Sequence, residues 1–340
     1  MISLLAACLA FIVALLATRH ICNPESRFHI LDHPNERSLH THPVPRTGGV
    51  AILTGIAAGT LLLYGITDLY LATVGWVASG ATIVAALSLI DDRQKLPVWA
   101  RLLGQVMGVG LIVIGGLWLR TIGLPGVTWE WPRAIGMAVS MLYLLWTVNL
   151  YNFMDGMDGF AAGMAVIGFS AFALLGAQAG NTAFMATSLI IAAAAAGFLV
   201  FNFPPARIFM GDGGSATLGL LAGGLSLWGT RDGVFSFWVA LLVFSPFIVD
   251  ATVTLLRRLG HGERVWQAHK SHYYQRLVLC GWGHRKTVLY EYTLMLACGV
   301  SALFVQRLDA PWQAALIVSW GLVYPLLMAA VHHLEKKKQS

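Results

Sequence analysis

Long apolar runs separated by short polar segments cover the whole chain. Most of these runs are long enough to cross about 30 Å of hydrocarbon as a helix. Eleven runs predict eleven transmembrane helices: Ile2–Thr18, Gly48–Tyr64, Leu69–Ile90, Val98–Leu119, Ala134–Leu150, Phe160–Gly176, Phe184–Phe201, Ser215–Trp228, Val234–Leu256, Thr287–Val305 and Trp312–Val331. Lipid-facing β-strands would alternate in segments of about ten residues, and these runs do not. We therefore predict an all-α, polytopic membrane protein with one membrane domain over residues 1–340.

Composition and charge agree with this fold class and orient it. The chain is 57% hydrophobic and 11% charged, whereas soluble domains are about 25% charged. The loops after odd-numbered spans and the C-terminal segment carry 17 of the 22 Lys and Arg residues, and Arg101 at the adjoining end of the fourth run makes 18 on that side. The positive-inside rule places these loops in the cytosol, with the N-terminus outside and the C-terminus inside. The predicted cytosolic active-site loops are residues 19–47, 91–97, 151–159, 202–214 and 257–286.

The most informative polar stretch follows the run Ala134–Leu150. Four side chains with oxygen atoms recur there at every third position: Asn149, Asn152, Asp155 and Asp158. On a helix they form a slowly drifting stripe, and Gly156 and Gly159 are expected to break the helix and let them converge. Oxygen ligands suit Mg²⁺ or Mn²⁺ better than zinc. A polar stripe between helices is the alternative, but carboxylates near hydrocarbon are functional candidates by default.

Two further acidic clusters lie on the same predicted face. Asp91 and Asp92 end the third apolar run, where carboxylates oppose the helix macrodipole and require a cation; a solvated helix end is the alternative. Asp212 lies in a glycine-rich turn, Phe209–Ser215, before the eighth run. Ser215 is expected to cap that helix, and the free N–H groups at the N-terminus of the helix would face a phosphate. Asp212 would hold a metal that bridges this phosphate, although ordinary turns have similar residues.

The last polar loop, Glu263–Arg285, combines basic and aromatic residues: Arg264, Trp266, His269, Lys270, His272, Tyr273, Tyr274, Arg276, Trp282 and Arg285. Basic groups suit a diphosphate, and rings suit a sugar or a base, so we predict a substrate loop. Two alternatives stay open. One is a basic juxtamembrane segment on anionic lipid. The other is a zinc half-site of His269 and His272, which lacks the further ligands that zinc needs.

Four charged residues elsewhere have two interpretations each. Arg37 and Arg46 would bind the diphosphate or simply add to the positive charge of a cytosolic loop. Asp250 and Glu291 fall inside apolar runs. Each would line a polar cavity or form hydrogen bonds between helices.

Five blocks of residues, in chain order, resemble the bacterial polyprenyl-phosphate N-acetylhexosamine-1-phosphate transferases. The blocks are Pro34-Asn-x-Arg-Ser-x-His40 with Pro45-Arg-x-Gly-Gly49, then Asp91-Asp92, then Asn149-x-x-Asn152-x-x-Asp155-Gly-x-Asp158-Gly159, then Asn202-x-Pro-Pro-Ala-Arg-x-Phe-Met-Gly-Asp212, and last His269-x-x-His272-x-Tyr-Gln-Arg276. The resemblance covers almost the whole chain and is closer to the WecA-type and WbpL-type branch than to MraY, whose last loop has three consecutive histidines.

The resemblance implies a role for each candidate residue. The residue matching Asp212 holds Mg²⁺, and Asn152 lies beside the same metal and the diphosphate. Asp91 and Asp92 are expected at the acceptor phosphate, where one of them acts as a base or orients it. His269 is expected to be catalytic and, with the basic loop, to approach the diphosphate-sugar. The remaining expected substrate contacts are Arg46, Asn149, Asp155, Asp158, Phe209, His272 and Arg276, with Asp155, Asp158 and Phe209 in the nucleotide pocket.

The implied reaction transfers a sugar-1-phosphate from a UDP-N-acetylhexosamine to undecaprenyl phosphate and releases UMP. It would initiate O-antigen or a related envelope polysaccharide at the bacterial inner membrane, with Mg²⁺ or Mn²⁺ as cofactor. Expected partners are both substrates and membrane lipid, with no nucleic acid; a homodimer stays open. The sugar stays open between N-acetylglucosamine and 6-deoxy relatives. A secondary transporter is the rival class, although its polar residues would lie near the bilayer midplane. An inactive lipid-binding scaffold would not need these carboxylates.

Overall fold

A computed structural model describes residues 1–34, 39, 42–67, 72–94, 96–264 and 269–339, without the side chains of Arg93 and Gln339. Several residues that the sequence analysis singled out therefore lie outside the described residues. They are Arg37, His40 and Trp266, together with Asn35 and Ser38 of the first motif block.

Helices dominate the described residues, as the apolar runs predict. They are α1 Ile2–Ile21, α2 Gly48–Gly65, α3 Ala72–Gln94, α4 Val98–Ile114, α5 Arg133–Phe153, α6 Phe160–Gln178, α7 Thr182–Asn202, α8 Asp212–Arg231, α9 Phe237–Val243, α10 Ser245–Gly260, α11 Tyr273–Leu277, α12 Gly283–Val305 and α13 Ala310–Gln339. A π-helical turn, Val278–Trp282, separates α11 from α12. The mostly helical fold class is thus confirmed.

Two short antiparallel hairpins were missed by the all-α prediction. One pairs β1, Leu31–Asp32, with β2, Val44–Pro45. The other pairs β3, Thr121–Leu124, with β4, Val127–Glu130, around Gly126 at φ 79°. Both hairpins lie in connections between helices, outside the predicted apolar runs, so the pattern of those runs carries no information about them.

Ten of the eleven predicted runs each overlap one helix, but the number of spans stays a prediction. Eight helices in the described ranges are long and apolar enough to cross a membrane, or nine if the bent pair α9 and α10 forms one span. The apolar helix α4 has 17 residues. Helix α8 has 20 residues and is not among the eight.

The ninth run, Val234–Leu256, was expected to be one helix, and this is wrong. Its two helices, α9 and α10, meet at an angle of 83°. Pro246 lies in the first turn of α10, where it lacks an N–H and its ring prevents continuation of the preceding helix. The hydroxyl of Ser245 donates to the carbonyl of Leu242 at 2.7 Å, which satisfies one acceptor at the end of α9. The bend directs α10 towards the loop that carries His269.

Helix α8 is the most enclosed of the long helices. Every residue from Gly213 to Gly229 is buried. A β-carbon at Gly219 would lie 2.4 Å from the carbonyl oxygen of Thr147 in α5, and one at Gly223 would lie 2.5 Å from the hydroxyl of the same threonine. Glycines therefore let α5 and α8 approach closely, as small residues do in membrane helices. The close packing holds Asn152 and Asp212 at the same end of the bundle.

The ends of α3, α5, α7 and α10 gather around the start of α8, and this is called the site end below. The phenol of Tyr274 donates to the carbonyl of Phe153 at 3.2 Å and joins α11 to the end of α5. The opposite end has its own contacts: Arg231 Nη2 donates to Thr73 Oγ1 at 3.0 Å, and Gln306 Nε2 donates to the Val234 carbonyl at 3.0 Å.

Candidate active site

The stripe of oxygen-bearing side chains is divided between a helix and a turn. Asn149 and Asn152 lie in the last turns of α5, which ends at Phe153, and Asp155 and Asp158 lie in the turn before α6. The expected helix break is confirmed, with Gly159 at φ 73°. Asn149 Nδ2 donates to Gln105 Oε1 at 2.9 Å and to the Leu145 carbonyl at 2.7 Å, so Gln105 of α4 orients this amide.

Asp158 connects this turn to two other segments. Its Oδ2 accepts a hydrogen bond from the backbone N–H of Ala206 at 3.0 Å. Its Oδ1 lies 3.0 Å from Nδ1 of His284, in the first turn of α12. Asn202 Oδ1 accepts from the N–H of Gly159 at 3.0 Å. His284 was missed by the sequence analysis, because a histidine in a basic loop does not indicate which carboxylate, 126 residues earlier, it contacts.

The start of α8 differs from the prediction. The helix begins at Asp212, and its N-cap is Gly211 at φ 72°. The predicted Ser215 cap is wrong, because Ser215 lies within the first turn and donates to the Gly211 carbonyl at 3.2 Å. A β-carbon at Gly211 would lie 2.1 Å from the carbonyl oxygen of Arg46, so only glycine fits. The N–H of Gly213 points to Asp92 Oδ2 at 3.4 Å, and a carboxylate therefore occupies part of this N-terminus.

The paired carboxylates at the end of α3 have the cation that their position requires. Nη1 of Arg101 in α4 lies 3.0 Å from Asp91 Oδ2 and 4.0 Å from Asp212 Oδ2. Asp91 Oδ1 also accepts from the N–H of Leu96 at 2.6 Å. The guanidinium of Arg46 donates to the backbone carbonyl of Asp92. Arg101 was missed as a site residue; its only sequence signal is a single basic residue in the first turn of an apolar run.

The carboxylates at the site end repel one another. Burial, followed by the charges of Asp212 and Asp92, raises the pKa of Asp155 well above its usual range. Burial also raises the pKa of Asp212, although a hydrogen bond with Asn152 and the charge of Arg101 partly oppose this. Such a cluster favours binding of a cation, which stabilises the ionised carboxylates.

The oxygen donors at the site end suit Mg²⁺, which binds few protein ligands together with water and substrate. They suit less well a metal ion that needs a full set of protein ligands. Within the described ranges, no group of three or more His, Cys, Asp or Glu side chains is arranged to hold a metal ion. Mg²⁺ commonly takes one or two carboxylates, keeps several waters and binds substrate phosphates. Asp212 with the neighbouring Asn152 offers such a partial oxygen shell.

The segment that carries His269 and His272 before α11, called the histidine loop, is held by the carboxylate of Asp250. This residue lies in α10, the second half of the bent pair α9 and α10. Asp250 Oδ1 accepts from the N–H of Tyr273 at 3.0 Å and lies 3.2 Å from His272 Nδ1. Its Oδ2 accepts from the N–H of Tyr274 at 3.1 Å. Asp250 thus caps α11 from another helix. Asp250 and Glu291 also line a small, mostly apolar cavity of about 90 Å³, so both interpretations of Asp250 apply.

The hydrogen bonds of His269 show which nitrogen of its neutral ring carries the proton. The backbone N–H of Ser271 donates to His269 Nδ1 at 3.2 Å, which makes that nitrogen an acceptor. The proton of the neutral ring is then on Nε2. Burial and the neighbouring His272 lower the pKa of His269 to about 4, so the ring is neutral at physiological pH. Among the residues that the structure describes, no third His, Cys, Asp or Glu side chain joins His269 and His272 in a metal-binding group, so the zinc half-site finds no support.

Arg276 has a different environment from the other candidates. Its Nε donates to Glu335 of α13 at 2.6 Å, and its guanidinium lies 4.6 Å from the centre of the Tyr273 ring. Glu335 supplies the negative charge that the sequence analysis assigned to a substrate diphosphate. The expected substrate contact of Arg276 stays a prediction, and the structure shows a structural partner for it.

Most of the predicted site residues line two adjoining cavities. The first has a volume of about 600 Å³ and is lined by Asp91, Asn149, Asn152, Asp212, His269 and His272, with Arg101, Gln105 and Gln275 as residues that the sequence analysis missed. The second, about 220 Å³, is lined by Arg46, Asp92, Asn152, Asp155, Asp158, Phe209, Asp212 and His284. Asn152 and Asp212 lie at the junction of the two. Eleven of the twelve predicted site residues therefore converge, and Arg276 lines neither cavity.

A membrane-embedded helical bundle with clustered carboxylates, amides and basic groups at one end defines an integral membrane enzyme for phosphate-bearing substrates. The chain belongs to glycosyl transferase family 4, whose family model matches residues 74–230. It is similar to a probable undecaprenyl-phosphate N-acetylglucosaminyl 1-phosphate transferase of Bacillus subtilis, with 33% identity over 97% of this chain and 93% of that protein.

Two further relatives define the breadth of the similarity. A decaprenyl-phosphate N-acetylglucosaminephosphotransferase of Mycolicibacterium smegmatis is 30% identical over 96% of this chain and 87% of its own. A phospho-N-acetylmuramoyl-pentapeptide-transferase of Moorella thermoacetica is 30% identical over 77% of this chain and 84% of its own. The resemblance to the polyprenyl-phosphate transferases is thereby confirmed.

Proposed function

We propose that this protein transfers a sugar-1-phosphate from a UDP-N-acetylhexosamine to undecaprenyl phosphate and releases UMP. The names of its relatives support a glycosyl-1-phosphate transferase with a polyprenyl phosphate acceptor. The observation that carries the proposal is the junction of the two cavities at Asn152 and Asp212. A UDP-sugar in the second cavity would place its diphosphate at this junction, next to an acceptor phosphate in the first cavity.

The linings of the two cavities suggest which substrate each one takes. The first cavity combines Asp91 and Arg101 with apolar residues such as Val98 and Leu255, which suits a phosphate attached to a hydrocarbon chain. The second combines Phe209 with Asp155 and Asp158, which suits a nucleotide. In this arrangement an oxygen of the acceptor phosphate attacks the sugar-bearing phosphorus. The bond from that phosphorus to the bridging oxygen breaks, and UMP leaves with the bond's electron pair.

Charge neutralisation and positioning would supply most of the catalysis, as in other phosphoryl transfers. Asp212 and Asn152 would hold Mg²⁺, with Mn²⁺ as the alternative ion. The bound ion would offset the negative charge of the diphosphate oxygens. Arg101, between Asp91 and Asp212, adds a positive charge on the acceptor side. The neutral His269 ring offers an N–H donor on the wall of the first cavity.

The geometry favours an orienting role for Asp91 and Asp92 over that of a base. A phosphomonoester has a second pKa of about 6 and is largely ionised at pH 7. Asp91 already accepts from Leu96 and pairs with Arg101, and Asp92 accepts from Gly213. These carboxylates hold the start of α8 and the side chain of Arg101 where the acceptor phosphate would bind.

We also propose that the site end faces the cytosol of a bacterial inner membrane, with the N-terminus outside and the C-terminus inside. The excess of Lys and Arg on that side supports this orientation. It gives the site access to a cytosolic UDP-sugar for the first step of O-antigen or a related envelope polysaccharide. The transporter alternative is not supported, because the relatives are transferases and the polar residues lie at one end of the helices.

The test is an assay of purified protein with undecaprenyl phosphate, Mg²⁺ and a panel of radiolabelled UDP-N-acetylhexosamines. We expect UMP and a lipid-linked sugar to appear in equal amounts with at least one sugar, and only when the acceptor is present. The panel also identifies the sugar. Hydrolysis of UDP-sugar without acceptor, or no product with any member, would contradict the proposal.

A further inference from the structure

A third polar cavity lies on the other side of the histidine loop from the active site. It has a volume of about 600 Å³, and we call it the basic cavity. Its lining residues are Arg257, Lys270, Ser271, Arg276, Leu279, Cys280, Glu335 and Lys338. They come from the end of α10, the loop before α11, α11 itself, the π-helical turn and the end of α13. None of the residues lining the two active-site cavities is among them.

The lining of the basic cavity has an excess of positive charge. Four residues are cationic, and Glu335, which pairs with Arg276, is the one carboxylate among the described lining residues. Arg257 Nη2 donates to the Ser271 carbonyl at 2.9 Å, and Lys338 Nζ donates to the Leu279 carbonyl at 2.6 Å. Carbonyl oxygens hold these two groups in place without neutralising them. The cavity therefore keeps three positive charges for a ligand.

Aromatic contacts make this arrangement more rigid. The guanidinium groups of Arg257 and Arg276 lie 5.6 Å and 4.6 Å from the centre of the Tyr273 ring. Cation–π contacts of this kind hold two like charges close together. Their mutual repulsion decreases when an anion binds between or beside them.

The surroundings of the basic cavity are those of a membrane surface. Leu256 and Leu259 on the last turns of α10 are exposed, and so is Leu279 beside the cavity. Helix α13, which ends there, is 6% buried over its apolar stretch, so lipid would surround it. Cationic groups at the point where apolar helices leave the bilayer meet the phosphates of the lipid headgroups.

We propose that the basic cavity binds the phosphate headgroup of an anionic membrane phospholipid and that this lipid orders the histidine loop. The link is covalent and short: Lys270 and Ser271 line the cavity, and Ser271 donates to Nδ1 of His269. An anion held by Lys270 and Arg257 would fix the segment that orients His269. Bound lipid would then raise turnover without touching the substrates.

The test compares variants in lipid nanodiscs made of phosphatidylcholine with or without phosphatidylglycerol. Native mass spectrometry counts the phosphatidylglycerol molecules that stay bound, a readout independent of activity. Lys338→Gln and Arg257→Gln remove one positive charge each from the cavity. Lys336→Gln is the matched control, because it removes the same charge from the same turn of α13 and Lys336 is not a lining residue.

We expect phosphatidylglycerol retention to fall about fivefold for each charge removed from the cavity and to stay unchanged in Lys336→Gln. In the transferase assay, phosphatidylglycerol should stimulate the wild type and the control more than Lys338→Gln. Equal retention in Lys338→Gln and Lys336→Gln would overturn the proposal, whatever the activity. Inorganic phosphate is the third arm: if it displaces no lipid but protects Lys338 from chemical modification in detergent, the ligand is a soluble phosphate compound and the lipid assignment is wrong.

Discussion

The carboxylate of Asp250 lies 3.2 Å from Nδ1 of His272 and accepts the backbone N–H groups of Tyr273 and Tyr274. A fourth contact comes from Thr254 Oγ1, which donates to Asp250 at 3.1 Å. One charged group inside a bent span therefore caps α11 and orients a ring on the wall of the first cavity. Because nearly all the acceptor capacity of Asp250 is used, its replacement should disturb the loop without unfolding the bundle.

Asp250→Asn should lower kcat by roughly 10- to 100-fold, as loss of an outer partner that orients a functional ring does. The amide can accept the N–H of one tyrosine but presents its own N–H to the other. Thr254→Val is the control, since it removes one donor and leaves the carboxylate. Steady-state kinetics would decide, with UMP titration to show an intact nucleotide pocket. A kcat equal to that of Thr254→Val would mean that this cap is only structural.

Asp212→Asn should lower turnover by at least about a thousandfold, while expression and folding persist. A neutral amide cannot replace a charged ligand in a site arranged around Mg²⁺. Asp232→Asn, at the other end of the same helix, is the matched control and should keep its activity. Product formation at saturating and at limiting Mg²⁺ is the measurement. Near-normal activity of the Asp212 variant at ordinary Mg²⁺ would remove this residue from the proposed metal site.

Asp92→Asn and Asp158→Asn should affect different steps. Asp92 lines the second cavity, but its Oδ2 accepts from the N–H of Gly213 next to Asp212, so its loss should act on the metal-holding start of α8 and lower kcat more than UMP affinity. Asp158 lines the second cavity, holds His284 on its wall and accepts from the N–H of Ala206, so its loss should weaken UMP binding. Effects on the transition state appear in kcat, and effects on ground-state binding appear in KM. Calorimetric titration with UMP tests this, and the reverse pattern would exchange the two assignments.

Between pH 5.5 and pH 8, the protonation of His269 should not control activity. Its pKa is lowered to about 4 in the folded protein, so the ring is neutral over this range. The stability it contributes is fully present above the unfolded value of about 6.5 and is lost as pH falls towards 4. His269→Gln keeps an N–H donor and cannot titrate. The ratio of wild-type to variant kcat/KM should therefore be constant from pH 5.5 to 8; a tenfold change centred near pH 6.5 would show that the ring titrates normally.

Cysteine labelling in intact cells should show which face the site end occupies. In a background without the four native cysteines, His261→Cys should react only with reagents that enter the cytosol. Ala179→Cys should react with reagents added outside. Both positions are exposed and lie at opposite ends of the bundle, and neither requires a positive φ. The opposite labelling pattern would place the site on the wrong face for a cytosolic UDP-sugar.

Local chemistry explains why much of this site is predictable from the chain. An apolar run forms a helix wherever it lies, so the helices and the polar segments between them follow from composition. The oxygen-bearing residues from Asn149 to Asp158 signal a cation site because nothing in helix packing requires them at a helix end. Asp91, Asp92 and Asp212 follow from the same argument once the loops are assigned to one face. Eleven of the twelve predicted site residues line the two cavities, but Phe209 was assigned only through the resemblance, and local features left the role of Arg46 open.

Tertiary structure decides the partners, since partners separated by many residues meet only through packing. Arg101 pairs with Asp91 and approaches Asp212 because α4 folds back along α3, which also packs against α8. Arg276 lines another cavity because α13 brings Glu335 within hydrogen-bond distance. The cap at Gly211 depends on the neighbouring Arg46 carbonyl, and no pattern within the turn reveals it. Residue types specify which chemistry is available, whereas helix packing selects which groups meet, because contact distances of about 3 Å depend on the position of every helix between them.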